Sequence, residues 1–365
     1  MNKDISVESS RVIACLMVIG IHITLSICHD GYVDVSRLAF ACVVADAVGI
    51  FWLILGFFLF KNNSYAKLLK KTAVSIGIPT LLFSGFAFFF GEWIAEGITL
   101  KESILHTGEE CVNVVKELLK WNSPVKYGGH LWYIYVYALI IFVFPVLKAT
   151  VQYLEEDEQR EKVFLIVTLG AFIVNDITRN QLFEFSHHSI NALIPASIIV
   201  IWGHILYKYR DALTTRKHFI SSVLVFGILN IVRILLQFYS FRIGAGDHIL
   251  FWYSSIGLLC AVCVAVFTFC LKDWIEIRTG LKNGILFLAG HTFNIYLFHF
   301  FVIYILGRLS FQTMLYDWVR SDLLFMILLT VAVFMVSLII SVGVRTGWIF
   351  FMQKLKSGKC VLTFK

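Results

Sequence analysis

Arg11 and His22 are two chemistry-bearing side chains 11 positions apart within one apolar stretch. At about 100° per residue, that separation returns to nearly the same face of a helix, about 16.5 Å further along. A guanidinium at one end of such a face holds phosphate. A neutral imidazole at the other takes a proton from a hydroxyl. Asp46, Arg233, His291 and His299 also fall inside apolar runs. An ionised group in hydrocarbon costs at least about 2.5 to 3.5 kcal/mol, so each of them needs a partner or a task.

These residues must be positioned by membrane helices. The chain has 365 residues, 59% hydrophobic and 15% charged, against roughly a quarter charged in a soluble domain. Its apolar residues gather into runs of about 20, the length that crosses a hydrocarbon core as a helix. The run at 323–344 lacks the alternation of a barrel strand. The expected fold is therefore all-α, a polytopic bundle of about ten helices at 9–28, 37–60, 73–94, 130–150, 163–176, 189–207, 219–238, 249–271, 285–306 and 322–344. The first run carries Arg11 and His22 and no small-x-small cleavage site, so it is expected to stay attached as a helix. No linker interrupts residues 1–365, which read as a single membrane-embedded domain.

Lys61, Lys67, Lys70, Lys71, Lys208, Arg210, Arg216, Lys217 and the basic tail fall in alternate loops. The positive-inside rule then places both termini in the cytoplasm, and the net charge of +7 reports orientation in the lipid bilayer, with no nucleic-acid partner. The longest loop, 95–129, becomes external, and its amphipathic pattern around 114–121 suits a surface helix, either a lid or a connector. His187 and His188 fall in an external loop, where contact with water accounts for them. Cys260 and Cys263 form a C-x-x-C pair without a second pair, which suits small core residues better than a metal site. No metal and no structural disulfide are expected.

This topology gives the polar residues depths. Asp46, His299 and His130, the last within Gly129-His130-Leu131-Trp132-Tyr133, come close to the level of His22. A carboxylate beside an imidazole orients the ring and stabilises its charged form, so Asp46 is expected to serve His22 as a catalytic partner. Arg11 with Lys67, Lys70 and Lys71 faces the cytoplasm, where these cations would hold the phosphates of a coenzyme A thioester. The lysines are equally explained as orientation anchors. His130, Trp132 and His299 are expected to bind an acceptor or to support the ring. Arg233 calls for a counter-charge or for carbonyls, and the sequence does not name its partner.

Several stretches resemble one family, the membrane acyltransferase-3 group of bacterial O-acyltransferases that decorate surface polysaccharides. Arg11 to His22 is similar to its R-x10-H hallmark, and Gly49 to Phe57 to its segment ending Ser-Gly-Phe, with Leu55 where the serine stands. Tyr65 to Pro79 resembles its basic stretch, with Lys67, Lys70 and Lys71 in place of arginines. His130-Leu131-Trp132-Tyr133 resembles its His-Leu-Trp-Phe element, and Thr292 to His299 its Tyr-Leu-x-His pattern. The resemblance implies an acyl-CoA donor, usually acetyl-CoA, no bound cofactor, and delivery of the acyl group to a hydroxyl of an extracytoplasmic glycan or glycolipid. It also implies His22 as the essential catalytic residue, Arg11 as its partner in donor handling, and a bacterial plasma membrane location. An exporter of a glycan or lipid-linked intermediate is the alternative; the scarcity of helix-breaking Pro, four in all, weighs against the discontinuous helices of carriers.

Overall fold

The computed structural model describes residues 3–29, 32–95, 97–106, 108–109, 129–178, 191–244, 246 and 252–356. Apart from a two-residue antiparallel ladder, β1 (Cys28–His29) with β2 (Tyr32–Val33), the ordered elements are helical. In chain order they are α1 (Ile5–Ile23), α2 (Val35–Val44), α3 (Ala47–Leu59), α4 (Tyr65–Thr72), α5 (Ile78–Ala95), α6 (Trp132–Phe142), α7 (Phe144–Glu155), α8 (Glu158–Ile177) and α9 (Leu193–Lys208). There follow α10 (Arg216–Arg242), α11 (Ser255–Cys270), α12 (Lys272–Glu276), α13 (Thr279–Ala289), α14 (Thr292–Arg308), α15 (Phe311–Val319) and α16 (Asp322–Lys356).

Five helical stretches are long and apolar enough to cross a membrane: Ile5–Ile23, Val35–Leu59, Tyr65–Gly91, Arg216–Arg242 and Asp322–Gly347. The number rises to seven if two bent pairs are each one span. The expected even span at 130–150 is bent by 65° between α6 and α7, and that at 285–306 by 62° between α13 and α14. Pro145 accounts for the first bend: in the opening turn of α7 it has no N–H to continue the hydrogen-bond ladder of α6, and its ring crowds the carbonyl four residues back. Gly290 and His291 occupy the second. At the expected spans 189–207 and 249–271 stand α9 and α11, apolar helices of 16 residues each, shorter than the helices long enough to cross and not among the five to seven. The span expected at 37–60 is interrupted between α2 and α3, at Ala45 and Asp46.

The first helix is the axis of the assembly. Asp4 caps it by accepting from the Ser6 amide, and it packs against α2, α3, α11, α13, α14 and α16. Ser10 on α1 shares a 2.6 Å hydrogen bond with Thr268 on α11. Beside this core α3 and α9 meet through glycines. A Cβ on Gly56 would lie 1.9 Å from the Val200 carbonyl oxygen, and one on Gly203 would lie 2.2 Å from that of Leu53. Helix α10 is peripheral: Leu224, Ile228, Ile231 and Leu235 are exposed along it, as suits contact with lipid tails.

Polar ties close both ends. On the side of the α1 N-terminus, Asp4 accepts from the Tyr207 hydroxyl at 2.9 Å, and Glu161 accepts from Lys208 and the Tyr209 hydroxyl at 2.7 Å each. On the opposite side Arg37 pairs with Asp322 at 2.6 Å and donates to the Ser26 carbonyl at 2.8 Å. The 114–121 segment, His187 and His188 lie outside the described residues.

Candidate active site

Helix α1 carries Arg11 near its start and His22 in its last turn. Arg11 is steadied by Glu8 one turn earlier, at 2.9 Å. His22 is exposed, and its ring meets two side chains of α14: His299, with centroids 5.3 Å apart, and Phe300, edge-on at 5.3 Å.

His299 is fully buried. Its Nδ1 lies 2.7 Å from the Tyr296 carbonyl oxygen one turn back. His130 stands in the 3-10 turn Gly129–Leu131 that leads into α6, 3% exposed. Its ring is 4.9 Å from that of His299 and stacks on Phe300 at 5.2 Å, while its Nε2 lies 3.2 Å from the Leu297 carbonyl oxygen. The Tyr296 hydroxyl donates to the His130 carbonyl. Two elements distant in sequence are thereby tied together, and three imidazoles from α1, the turn before α6 and α14 converge.

Below this cluster a cavity of about 530 Å³ opens. Lys3, Arg11 and Lys71 line it towards the α1 N-terminal end, Leu55 and Phe58 form part of its apolar wall, and Tyr133 and Tyr296 line it beside the histidines. Tyr296 is the joint between the two regions: its ring lies 5.4 Å from His130 and 5.8 Å from His299. Tyr133 stacks on the buried Trp52 at 4.1 Å.

Of the residues expected from sequence, Arg11 and Lys71 line the cavity, and His22, His130 and His299 meet in the cluster. Lys67 and Lys70 are exposed on α4 and are not part of the cavity wall. Trp132 stacks on Trp252 at 6.0 Å, one residue before Tyr133. Leu55, which departs from the family pattern, faces the cavity.

Asp46 requires a correction. It does not serve His22: both carboxylate oxygens are taken by Arg233 of α10, at 2.7 and 3.1 Å, and Arg233 also donates to the Cys42 carbonyl at 2.7 Å. Both side chains are 0% exposed. Common depth suggested the contact with His22, but helix rotation turns Asp46 towards α10. His291 is likewise engaged elsewhere, with its Nδ1 2.8 Å from the Ser341 hydroxyl. The tyrosines at the joint went unassigned in the sequence. Their signal was spacing, since Tyr296 precedes His299 by one helical turn and Tyr133 follows His130 within the same short motif.

The bundle thus carries a cation-mouthed cavity that runs up to a histidine cluster, and comparison with known families gives its class. A family model described as an acyltransferase domain matches residues 4–344, and the chain belongs to this acyltransferase-3 family. No curated protein and no solved structure matches the chain.

Proposed function

We propose that the chain is an O-acyltransferase that moves an acyl group, most simply acetyl, from cytoplasmic acyl-CoA to a hydroxyl of an extracytoplasmic glycan or glycolipid. Both termini then lie in the cytoplasm and the bilayer is a bacterial plasma membrane. The observation that carries the reading is the joint at Tyr296, which places the inner end of a cavity mouthed by Lys3, Arg11 and Lys71 against the cluster that holds His22.

In this reading the cations hold the coenzyme A phosphates, and the apolar wall at Leu55 and Phe58 takes the pantetheine arm. The thioester is brought to the Tyr133 and Tyr296 end. The acceptor reaches His22, an exposed residue, from the opposite side. His22 takes the hydroxyl proton as the oxygen attacks the thioester carbon. The C–S bond breaks and the thiolate recovers the proton from His22. Holding donor and acceptor together in this way replaces a bimolecular encounter with a positioned one.

The test is transfer of labelled acetyl from acetyl-CoA to surface glycan in membranes carrying wild-type or His22→Ala protein. Label that depends on His22 is expected. Full activity in the variant refutes the assignment of His22. Absence of label with acetyl-CoA and with longer acyl-CoAs favours the exporter, a reading supported by the two bent helix pairs, since discontinuous helices are common in carriers. An exporter changes the amount of glycan, whereas a transferase changes only its acyl content.

A further inference from the structure

With Asp46 committed to Arg233, the role expected of a carboxylate beside His22 falls vacant, and the residues around His22 indicate what fills it. A backbone carbonyl only accepts, so the 2.7 Å contact between His299 Nδ1 and the Tyr296 oxygen requires Nδ1 to carry the hydrogen. Neutral His299 therefore has a bare lone pair at Nε2. That nitrogen is buried and has no hydrogen-bond partner among the described residues. His130 repeats the arrangement in mirror form. Its Nε2 donates to the Leu297 oxygen, so its Nδ1 is the bare nitrogen, buried and unpartnered among the described residues. A desolvated acceptor of this kind is costly to leave without any donor.

Among the described residues, His22 is a neighbouring group able to donate, its ring 5.3 Å from that of His299 between centroids. Among the described residues, the titratable side chains on this side are His299 on α14, in ring contact with His22, and His130 before α6, whose ring lies 4.9 Å from that of His299. We infer that His299 is the positioning residue for His22: its Nε2 accepts a hydrogen bond from one ring nitrogen of His22, which leaves the other nitrogen bare and directed at the acceptor hydroxyl. The inference rests on the acyl-transfer reading above and replaces the carboxylate of a conventional acid–histidine pair with a neutral imidazole.

No covalent bond changes at His299 during turnover. The hydroxyl O–H breaks as N–H forms on the bare nitrogen of His22, the C–O bond forms, and the C–S bond breaks. The thiolate then takes that same proton back, while the N–H shared with His299 persists throughout. A neutral acceptor suits a water-poor site: it fixes the tautomer of His22 without adding a second buried charge, which hydrocarbon penalises heavily. The Tyr296 carbonyl holds the tautomer of His299, and the Tyr296 hydroxyl holds the turn that carries His130, so the whole relay is registered against α14.

The experiment compares His299→Leu with His299→Gln in membranes containing wild-type levels of inserted protein. The glutamine amide places an acceptor oxygen near the Nε2 position, and leucine does not. The expected result is a kcat loss of about 100-fold for leucine with KM for acyl-CoA unchanged, and a loss within about tenfold for glutamine. A second readout needs no turnover: ¹⁵N-histidine spectra of protein in vesicles, with the His22 signals assigned by their loss in His22→Ala. A single His22 tautomer is expected in wild type and in the glutamine variant, and a mixture in the leucine variant. Wild-type kcat in the leucine variant, equal losses in the two variants, or a His22 tautomer unaffected by leucine each overturns the inference. A wild-type protein that transfers no acyl group overturns the functional reading instead, and the tautomer spectra still decide the role of His299.

Discussion

The Asp46–Arg233 pair is completely buried, although Arg233 comes from the least buried of the five candidate spans. Removing one partner of such a pair leaves an uncompensated charge and costs about 3 to 5 kcal/mol, whereas replacing both with apolar groups is often tolerated. Arg233→Leu is therefore expected to lower the melting temperature in detergent sharply, and Asp46→Leu added to it to restore much of the loss. Equal melting of the single variant and wild type would show that the pair does not staple α10 to the bundle. Tyr296→Phe removes only the hydroxyl that holds the His130 turn, a loss of about 1 kcal/mol in stability, and is expected to reduce kcat out of proportion to its small effect on melting. At this scale the sequence was informative where spacing along one helix sufficed, as for Arg11 and His22. It misled at Asp46, because depth in the membrane is readable from the chain and rotation about the helix axis is not.

Among the elements, the closest approach is that of α3 to α9, and its requirement is steric. Gly56→Ala or Gly203→Ala drives a methyl into a backbone carbonyl, where no side chain can yield. Overpacking of this kind costs about 1 to 3 kcal/mol, and both variants are expected to melt lower. Gly227→Ala on α10, with nothing within 4 Å of the added carbon, is expected to melt at or above the wild-type temperature. At the start of α2, Asp34 accepts from the Ser36 and Arg37 amides at 2.8 and 3.0 Å. Its bond from the Ser36 hydroxyl, followed by the amide bonds and Arg37, holds its carboxyl below the usual range. The folded pKa lies under the unfolded value of about 3.9, so this contribution is present above that pH and lost as pH falls through the folded value. Melting of wild type is expected to fall more steeply than that of Asp34→Ala as pH drops below about 4. The helical periodicity of the sequence marked where apolar segments lie, but their bending at 143 and at 290–291 depends on how halves dock against neighbours. Pro145 and Gly290 were visible signals for those bends.

For the molecule as a whole, composition alone indicated a helical membrane protein, and five ordered motifs indicated the family that the 4–344 match confirms. The cavity was not legible, because its walls come from helices far apart in the chain. Leu55→Trp would fill it beside Phe58 and is expected to raise KM for acyl-CoA by about tenfold or more, equivalent to about 1.4 kcal/mol of lost binding, without lowering the melting temperature. Tyr133 and Tyr296 wall the same cavity on its histidine side, and behind Tyr296 stand the rings of His130 and His299. A conduit that ends in a wall passes no ions. If donor and acceptor meet as proposed, with the tyrosine rings between them, the protein would work at full expression without dissipating the electrochemical gradient of its membrane. Opening that partition by Tyr133→Ala with Tyr296→Ala is expected to convert a silent catalyst into a proton leak, measurable as dye-reported acidification of vesicles.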